Sequence, residues 1–571
     1  MSPTVTAAGL APAADLDRFL GAPDDPASPM SFERAMARDR AAEFPLEAAE
    51  ALNEWGVQNY YVPAAFGGRL NDVLTPLLIM RNVARRDVTA AVGHGKTVLG
   101  AICAWAAADG SADQMARIVL GGDPVSWGLT EQGRGSDIAS STTSAALGAD
   151  GIVLEGHKWP IGNATRSRAV TVLARTDERP GPRSLSLVLV DKQRVDAAAI
   201  GYRPRRALHG IRGADISGVD FHGTRVGADA MIGPQGHGLE LVLKSLQLTR
   251  TLCAALSLGA GDQAIALAIG HGIAEDRSDA ATRAVVADSV ADLLLAEAVA
   301  YAGARCVHTA PEEMALVSAF VKFLVPDSVD LLFRELTAAI GPRAQLASGG
   351  DFARFQKASR DNRVVGIFDG NSVVNLNVVI NEFANIGRAD AVDVDSVISG
   401  LAPSAAPVTF DMSRLRLITR RGSSVLRALP ELAARVDDGV AHADVADAAR
   451  RLAAEWQVVR DAAVTAERAP QPPASQFVIA ERLTLLFGAA ACLALYLANR
   501  GRATADDGNA ELWADGLWLR AVLARLLARL GLDAPARVPA AELYVAAARR
   551  VAVGAPVTLL PGWWHEEGAH S

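Results

Sequence analysis

One acidic residue ends an apolar run in the stretch RDNRVVGIFDGNSVVNLNVVI, residues 360–380. The run from Val364 to Phe368 leads directly to Asp369, and Gly370 follows it. A carboxylate held partly out of water is suited to abstract a proton from a weak carbon acid. The pattern predicts a general base with room for a ligand at the glycine, whereas a solvated Asp-Gly turn is the plain alternative.

A second candidate is the glycine-rich loop in WGLTEQGRGSDIASSTTSA, residues 127–145. Gly133 and Gly135 let backbone N–H groups approach an anionic ligand, and the hydroxyl groups of Thr130 and Ser136 add donors. The residues after the loop predict a strand, so this is not the GxGxxG turn into a helix of a Rossmann fold. Downstream, GHKWPIGN predicts a strand and a turn around an aromatic residue.

The composition is that of a helix-rich globular protein with several domains. The chain has 571 residues, 50% of them hydrophobic and 5% aromatic, which is too long for one compact core. Its 56 basic and 64 acidic residues give a net charge of −8 without a basic block, which argues against nucleic-acid binding. The 4 cysteines form no CxxC pair and predict buried thiols in a reducing compartment.

The termini and the apolar runs predict a cytoplasmic protein. The N-terminus lacks a charged start followed by an apolar core, so we expect no signal peptide. The longest apolar runs, such as residues 486–498, are too short to cross a bilayer and lie among helical periodicities.

Hydrophobic periodicity divides the chain into four parts. Residues 1–121 repeat apolar positions at three- and four-residue intervals and predict an N-terminal helical domain. Residues 122–235 consist of short β-branched runs between Gly, Asp and Asn, and predict a middle antiparallel β domain. Helical periodicity returns over 236–398 and, after a Pro/Ala/Ser linker, continues over 399–571 as a C-terminal helical extension. The predicted fold class is α+β, mostly α.

The order of these motifs is similar to that of the acyl-CoA dehydrogenase family of flavoproteins. An α domain, the TEQGRGSD loop, the GHKWPIGN strand, the stretch HGIRGADISGVDFHGTRV and a helical domain ending in RDNRVVGIFDG follow one another as they do in that family. The resemblance covers about residues 51–386. It implies that FAD is the cofactor and that the third domain is a four-helix bundle.

The resemblance also implies roles for individual residues. Asp369 would abstract the α-proton of an acyl thioester while a hydride leaves the β-carbon for flavin N5. Thr249 occupies the other position that the family uses for a base, and a threonine cannot serve as one. Arg250 and Gly370 would contact the substrate, and Ser136 would lie near both the thioester and the FAD pyrophosphate. The residues implied to bind FAD are Leu129, Thr130, Gly135, Ser136, Trp159, Pro160, Gly162, Arg277 and Asn371.

Several positions depart from the family pattern. Asp369 stands where a glutamate is usual and is shorter by one methylene, or about 1.5 Å of reach. Trp159 is displaced by one residue from the place of the usual flavin-stacking tryptophan. The arginine motif that holds the partner subunit's FAD is replaced by AEDRSDAATR, where Arg277 is the substitute. The glutamine motif near the adenosine is reduced to Gly341 in AAIGPR, where Arg343 adds a charge.

We therefore expect α,β-dehydrogenation of an acyl thioester that is carried by CoA or by an acyl carrier protein. An electron-transferring flavoprotein is the usual electron acceptor of dehydrogenases in that family and molecular oxygen that of oxidases, so both acceptors stay open. Two alternatives stay open on the same fold. One is a different flavin reaction, such as nitroalkane oxidation with an aspartate base or monooxygenation, and the other is a non-catalytic scaffold.

The C-terminal extension resembles in layout that of the very-long-chain members of the family, which implies a homodimer. Its tail PGWWHEEGAH, residues 561–570, matches no metal-ligand spacing, and we expect the two tryptophans to dock on the body of the protein. His157, Lys158 and His209 lie near the expected site in the sequence, and we predict a structural role for each.

Overall fold

The structure is a computed structural model that describes residues 10–179, 181–270, 280–388, 391–402, 410–437, 442–499, 510–533 and 539–560. The predictions made for Arg277 and for the tail at 561–570 lie outside these ranges. Within them, helices come first, a β-sheet follows, and helices form the rest of the chain.

The N-terminal region is helical and centres on one long buried helix. Its helices are α1 (Leu10–Leu20), α2 (Phe32–Ala41), α3 (Leu46–Trp55), α4 (Leu74–Arg86), α5 (Val88–Ala107) and α6 (Gly110–Leu120). Asp87 separates α4 from α5 and caps α5, because its side chain accepts a hydrogen bond from the N–H of Thr89. Helix α5 is apolar on most of its surface and is buried along most of its length, which is the pattern of a central helix.

The middle region is a single sheet with both faces covered near its centre. Its strands are β1 (Val125–Gly128), β2 (Ser144–Gly148), β3 (Gly151–Gly162), β4 (Ala169–Arg175), β5 (Leu185–Asp191), β6 (Ile200–Arg203), β7 (Ile216–Val226) and β8 (Met231–Ile232). Along β4, Leu173 belongs to the large core shared with the helices, whereas Val170 and Val172 belong to a small core on the other face with Phe221. A strand buried on both faces is apolar throughout, as AVTVLAR is.

The sheet is mixed, so the prediction of an antiparallel sheet is wrong for the pairs β1–β4 and β2–β4, which are parallel. β1 runs parallel to β4, with Val125 opposite Ala169 and Gly128 opposite Val172. The long pairs β3–β7 and β4–β5 are antiparallel. Turn residues fix the relative direction of strands that follow one another in the chain. Turn residues carry no information on the relative direction of β1 and β4, because these strands are far apart in the sequence.

The third region is a set of packed helices, as predicted. They are α7 (Gly238–Leu252), α8 (Ala254–Gly270), α9 (Ala280–Thr309), α10 (Met314–Ile340), α11 (Gly350–Asn362), α12 (Ser372–Asn381) and α13 (Phe383–Ile386). Helices α8, α9 and α10 pack on one another, and α12 packs on α10. Cys253 forms the junction between α7 and α8. The order of helical, β and helical regions confirms the predicted fold class.

The C-terminal extension packs against the third region. Its helices are α14 (Val394–Gly400), α15 (Ser424–Arg427), α16 (Leu429–Asp437), α17 (Ala443–Thr465), α18 (Ala474–Ala498), α19 (Ala510–Trp513), α20 (Leu517–Arg529) and α21 (Ala540–Ala552). Helices α18, α20 and α21 all contact α9. Arg525 of α20 donates hydrogen bonds to the buried carboxylate of Asp292 on α9 at 3.0 and 2.9 Å.

Two helical segments among the described residues are long and apolar enough, by length and composition, to cross a membrane. They are Gly238–Gly270 and Ala474–Ala498. The prediction that the apolar runs are too short is therefore wrong, since residues 486–498 belong to the longer helix α18. In the structure 83% and 78% of their most apolar windows are buried, so neighbouring helices already cover these surfaces.

Candidate functional site

Asp369 lies in the turn between α11 and α12, and side chains from other helices hold the backbone of this turn. Arg250 of α7 donates through Nε to the carbonyl oxygen of Asp369 at 3.3 Å. Lys322 of α10 donates to the carbonyl oxygen of Val365 and, at 3.4 Å, to that of Gly370. Buried carbonyl groups need such donors, and charged donors give the stronger hydrogen bonds. The turn is therefore fixed by two cations.

The backbone of Asp369 adopts a left-handed conformation, with φ of 55°, and Gly370 follows with φ of 95°. Among non-glycine residues, Asp and Asn tolerate this conformation best because their short polar side chains can hydrogen-bond locally. A glutamate has a longer side chain and fits it less well. The turn geometry thus gives a physical reason for an aspartate at this position.

The carboxylate of Asp369 contacts the thiol of Cys253 at the junction of α7 and α8. The distance from Sγ to Oδ2 is 3.7 Å, with the thiol as donor. Burial, together with the charge of Asp369, raises the pKa of Cys253, so the thiol stays protonated and keeps its role as donor. Asp369 itself is half-buried.

An apolar cavity of about 50 Å³ lies beside this contact. Cys253, Phe368 and Thr249 form the wall nearest the turn. Its apolar side chains come from α4, α5, α7, α8 and the segment before α4, and include Tyr61, Met80, Val92, Leu99, Leu252 and Leu256. Asp369 is not among the lining residues, but its carboxylate reaches the wall at Cys253. The lining of the cavity suits an apolar chain next to this carboxylate.

Two lysines from distant helices lie over the ring of Phe368. Nζ of Lys96 on α5 is 4.4 Å from the ring centroid, and Nζ of Lys322 on α10 is 5.1 Å from it. Burial lowers the pKa of Lys322, while the charge of Asp369 opposes this shift. Neither lysine was predicted. Lys96 is the single charge in the helical run VTAAVGHGKTVLG, and Lys322 is the single charge in ALVSAFVKFLV. A lone charge in an apolar helix is the sequence pattern by which both could have been recognised.

Glu131 lies in the glycine-rich loop and is buried, and both of its carboxylate oxygens accept hydrogen bonds. It accepts hydrogen bonds from Nζ of Lys158 at 2.8 Å and from Oγ of Ser141 at 2.6 Å. It also accepts from the backbone N–H and the hydroxyl groups of Thr142 and Thr143. Burial alone would raise the pKa of Glu131, but the charge of Lys158 and these hydrogen bonds lower it well below its usual range. The ionised Glu131 therefore fixes the base of the loop on β3.

The tip of the loop is open to solvent. Gly133 and Gly135 have φ of 80° and 47°, and a Cβ on either residue would have no heavy atom within 4 Å. These glycines are thus required by the backbone conformation and not by close packing. Ser136 is exposed beside them. The tip leaves backbone and hydroxyl groups accessible to a ligand.

The start of the loop is joined to a bulge in β3. The hydroxyl of Thr130 donates to the carbonyl of Pro160 at 2.9 Å, and the N–H of Trp159 donates to the carbonyl of Thr130 at 2.9 Å. Between the pairs Lys158–Val219 and Ile161–Ser217, β3 has one residue more than β7. A bulge of this kind redirects side chains. The bulge lies at Trp159 and Pro160. This is the place where the tryptophan is displaced by one residue from its usual position in the motif.

Trp159 lines a second cavity, of about 500 Å³, next to the loop. Gln132, Arg203, Pro204 and Arg206 complete its wall. Arg203 forms an ion pair with Asp220, whereas Arg206 forms none within the part of the chain that the structure describes. An indole ring, an amide and two guanidinium groups suit a ligand that carries phosphates and flat rings, as FAD does.

Other predicted residues have different surroundings. Asn371 caps α12, because its Oδ1 accepts a hydrogen bond from the N–H of Val374 at 2.9 Å. Arg343 lies over the ring of Phe352 at 4.9 Å. Neither Asn371 nor Arg343 lines one of these two cavities. Leu129 is buried, and its carbonyl accepts a hydrogen bond from Lys158 at 3.1 Å.

Comparison with known proteins gives a consistent result. Residues 126–224 match the model of the acyl-CoA dehydrogenase middle domain, and residues 236–383 match that of the acyl-CoA dehydrogenase C-terminal domain. The chain is 26% identical over 350 residues to the probable acyl-CoA dehydrogenase fadE25 of Mycobacterium leprae (strain TN), covering 59% of this chain and 87% of that protein.

Solved structures share the fold. The acyl-CoA dehydrogenase of Bacillus anthracis complexed with FAD superposes with a TM-score of 0.67 at 17% identity, over 97% of this chain and 96% of that one. The prolyl acyl carrier protein oxidase AnaB superposes with a TM-score of 0.56 at 18% identity, over 66% of this chain and 98% of that one. The Bacillus structure thus shares the arrangement of nearly the whole chain, extension included.

The sheet between two helical regions, with an acid in a turn of the second, is the architecture of a flavin-dependent oxidoreductase. The chain carries the middle and C-terminal domains of the acyl-CoA dehydrogenase family, and its cofactor is FAD.

Proposed function

We propose that this protein catalyses α,β-dehydrogenation of an acyl thioester and that Asp369 is the base. The observation that carries the proposal is the contact of the Asp369 carboxylate with Cys253, which lines the apolar cavity. A carboxylate at the edge of an apolar cavity can reach a carbon acid that is bound there, and proton abstraction requires such proximity.

Residues around Asp369 support this role. Arg250 is buried, which lowers its pKa to about 10, while the charge of Asp369 opposes the shift. Arg250 therefore stays charged at neutral pH and can hold the turn of Asp369 through a charged hydrogen bond. Because Arg250 donates to the backbone carbonyl, both carboxylate oxygens stay available to the substrate and to the Cys253 thiol.

The acyl chain would lie in the apolar cavity beside Thr249 and Cys253, with the α-carbon toward Asp369. FAD, when bound, supplies the acceptor for the hydride that leaves the β-carbon. We propose that Gln132, Trp159 and Arg206 contact FAD, because they line the cavity beside the loop. Leu129, Thr130, Gly135, Ser136, Pro160 and Gly162 complete the proposed FAD site, as their order in the family motifs implies.

The carrier of the acyl group and the electron acceptor are further parts of the proposal. The names of relatives indicate that they act on CoA esters, and the name of one structural neighbour indicates that it acts on an acyl carrier protein. We propose a thioester of either carrier as substrate and an electron-transferring flavoprotein as acceptor. A homodimer and a cytoplasmic location stay predictions.

Anaerobic flavin reduction tests the proposed function. Purified wild type and Asp369→Asn are mixed without oxygen with a panel of acyl-CoA and acyl-carrier thioesters, and the loss of oxidised-flavin absorbance is followed. We expect one class of thioester to reduce the wild type, whereas Asp369→Asn binds FAD and stays oxidised. The proposal fails if no thioester reduces the flavin. Because the base is an aspartate, a nitroalkane is added as a second candidate, and reduction by it alone would favour that reaction.

A further inference from the structure

Among the described residues, Lys96 is the one charged side chain in the wall of the apolar cavity. It lies in the middle of α5, and the other described residues of that wall are uncharged. Within the described ranges its Nζ makes no hydrogen bond and lies within 4.0 Å of no carboxylate; it lies over the ring of Phe368. Enclosing an ammonium group in apolar surroundings costs free energy unless a partner of opposite charge offsets it. A ring face offsets only part of this cost.

The surroundings hold Lys96 in the cavity. Gly162 of β3 packs against its side chain, and a Cβ at position 162 would lie 2.8 Å from Cδ and 2.9 Å from Cε of the lysine. The missing side chain at Gly162 therefore provides the space that Lys96 fills. This packing directs the ammonium group toward Phe368, the residue directly before Asp369.

Positive charge exceeds negative charge around the proposed base. Arg250 and Lys322 contact the turn of Asp369, and Lys96 lies over the neighbouring ring. Arg250 and Lys322 have partners in the turn, namely its carbonyl groups. Lys96 alone faces the space in which the acyl chain would lie, so a ligand is the partner that would complete its interactions.

We propose that Lys96 binds a carboxylate on the acyl part of the substrate, so that the substrate is a short dicarboxylic acyl thioester. This inference rests on the proposed function. The carboxylate would lie close to the reacting carbons, because Lys96 contacts the residue next to the base. A charged hydrogen bond in an apolar cavity favours such a ligand, whereas a neutral acyl chain would leave the ammonium group unpaired.

Matched pairs of thioesters test this. Glutaryl-CoA is compared with pentanoyl-CoA, and succinyl-CoA with butyryl-CoA, so that each pair differs in the terminal carboxylate. For wild type we expect kcat/KM to favour the dicarboxylic ester by about 10- to 100-fold, as one charged hydrogen bond implies. Lys96→Met should bring this ratio close to one, and Lys96→Arg should retain most of it because the charge is kept.

Lys322→Met is the matched control, since this lysine also lies over Phe368 but donates to the turn. It should lower kcat/KM for both esters of a pair and leave their ratio unchanged. The FAD content of each variant is measured from its absorbance. The inference is overturned if wild type does not prefer the dicarboxylic ester, or if Lys96→Met lowers both esters alike and shifts the flavin spectrum, because Lys96 would then act on the cofactor.

Binding separates this inference from the proposed function. The dissociation constants of glutaryl-CoA and pentanoyl-CoA are measured by thermal shift of the FAD-loaded wild type and Lys96→Met. If neither ester reduces the flavin, the proposed dehydrogenation fails, but tighter binding of glutaryl-CoA that depends on Lys96 would still support the anion site. Equal binding of both esters by wild type would contradict it.

Discussion

The guanidinium group of Arg250 donates to the backbone carbonyl of Asp369 at 3.3 Å. The arginine therefore positions the proposed base through its main chain and leaves the carboxylate free to contact Cys253 and the substrate. The contact joins the last turn of α7 to the turn before α12, so the base is held by an element that also lines the cavity.

Arg250→Lys should lower the rate of flavin reduction by about 10- to 100-fold, because a shift of about 1 Å in a catalytic group has that effect. A lysine keeps the charge but not the reach and direction of Nε, so the Asp369 carbonyl loses its donor. FAD content should not change. Stopped-flow reduction by the best thioester measures the rate, and a wild-type rate in Arg250→Lys would refute the positioning role.

Gly370→Ala should destabilise the protein and slow flavin reduction. Its φ of 95° is unfavourable for any side chain, and a Cβ would lie 3.1 Å from Nη2 of Arg250. The strain costs about 1–3 kcal/mol. Gly349→Ala is the control, since Gly349 has φ of 83° but open space around a Cβ. Urea denaturation should show similar losses for both variants, whereas slow reduction should be confined to Gly370→Ala.

The buried Glu131 should make stability depend on pH. Its folded-state pKa lies below the ordinary value of 4.5, so the unfolded chain binds more protons as the pH falls through 4.5. The stabilisation from Glu131 is complete above that value and decreases below it. Glu131→Gln should thus be less stable than wild type at about pH 7, and the difference should narrow at about pH 4. Urea denaturation at both pH values checks this, and a constant difference would contradict it.

Arg525→Met should loosen the C-terminal extension. The variant leaves the carboxylate of Asp292, which is buried completely, with only a longer contact to Arg529 at 3.4 Å. Removing one partner of a buried ion pair costs about 3 kcal/mol. Arg435→Met removes an exposed pair with Asp395 and is the control, for which we expect little change. Differential scanning calorimetry measures the Tm of both variants, and limited proteolysis measures how fast the extension is cleaved. We expect a lower Tm and faster cleavage for Arg525→Met than for Arg435→Met, and equal values for the two variants would contradict this.

The sequence predicted the order of helical and β regions because each has a strong local periodicity. The sequence also pointed to Asp369, since an acid at the end of an apolar run can be recognised without knowledge of the structure. The turn conformation then explains the shorter acid, as φ of 55° favours aspartate over glutamate. Asn371 is visible as well, but its position directly before α12 makes it a helix cap, which a comparison of motifs does not show.

The remaining features depend on contacts between distant residues. Lys96 of α5 and Lys322 of α10 meet at Phe368, and no local pattern joins these three positions. The parallel pairing of β1 with β4 is likewise set by the packing of the whole sheet. Gly162 illustrates the same point, because its missing side chain has meaning only once Lys96 is known to fill the space.

Exchange of the α-protons of a bound thioester with solvent tests the central claim most directly, because it isolates the proposed base from hydride transfer. A thioester that reduces the wild type is incubated with each protein in D₂O without oxygen, and deuterium at the α-carbon is followed by NMR. We predict exchange in wild type, slower exchange in Asp369→Glu, and a rate at least about 100-fold lower in Asp369→Asn, as loss of a general base implies. Exchange in Asp369→Asn at the wild-type rate, with FAD bound, would show that Asp369 is a turn residue and that the proton is removed by another group.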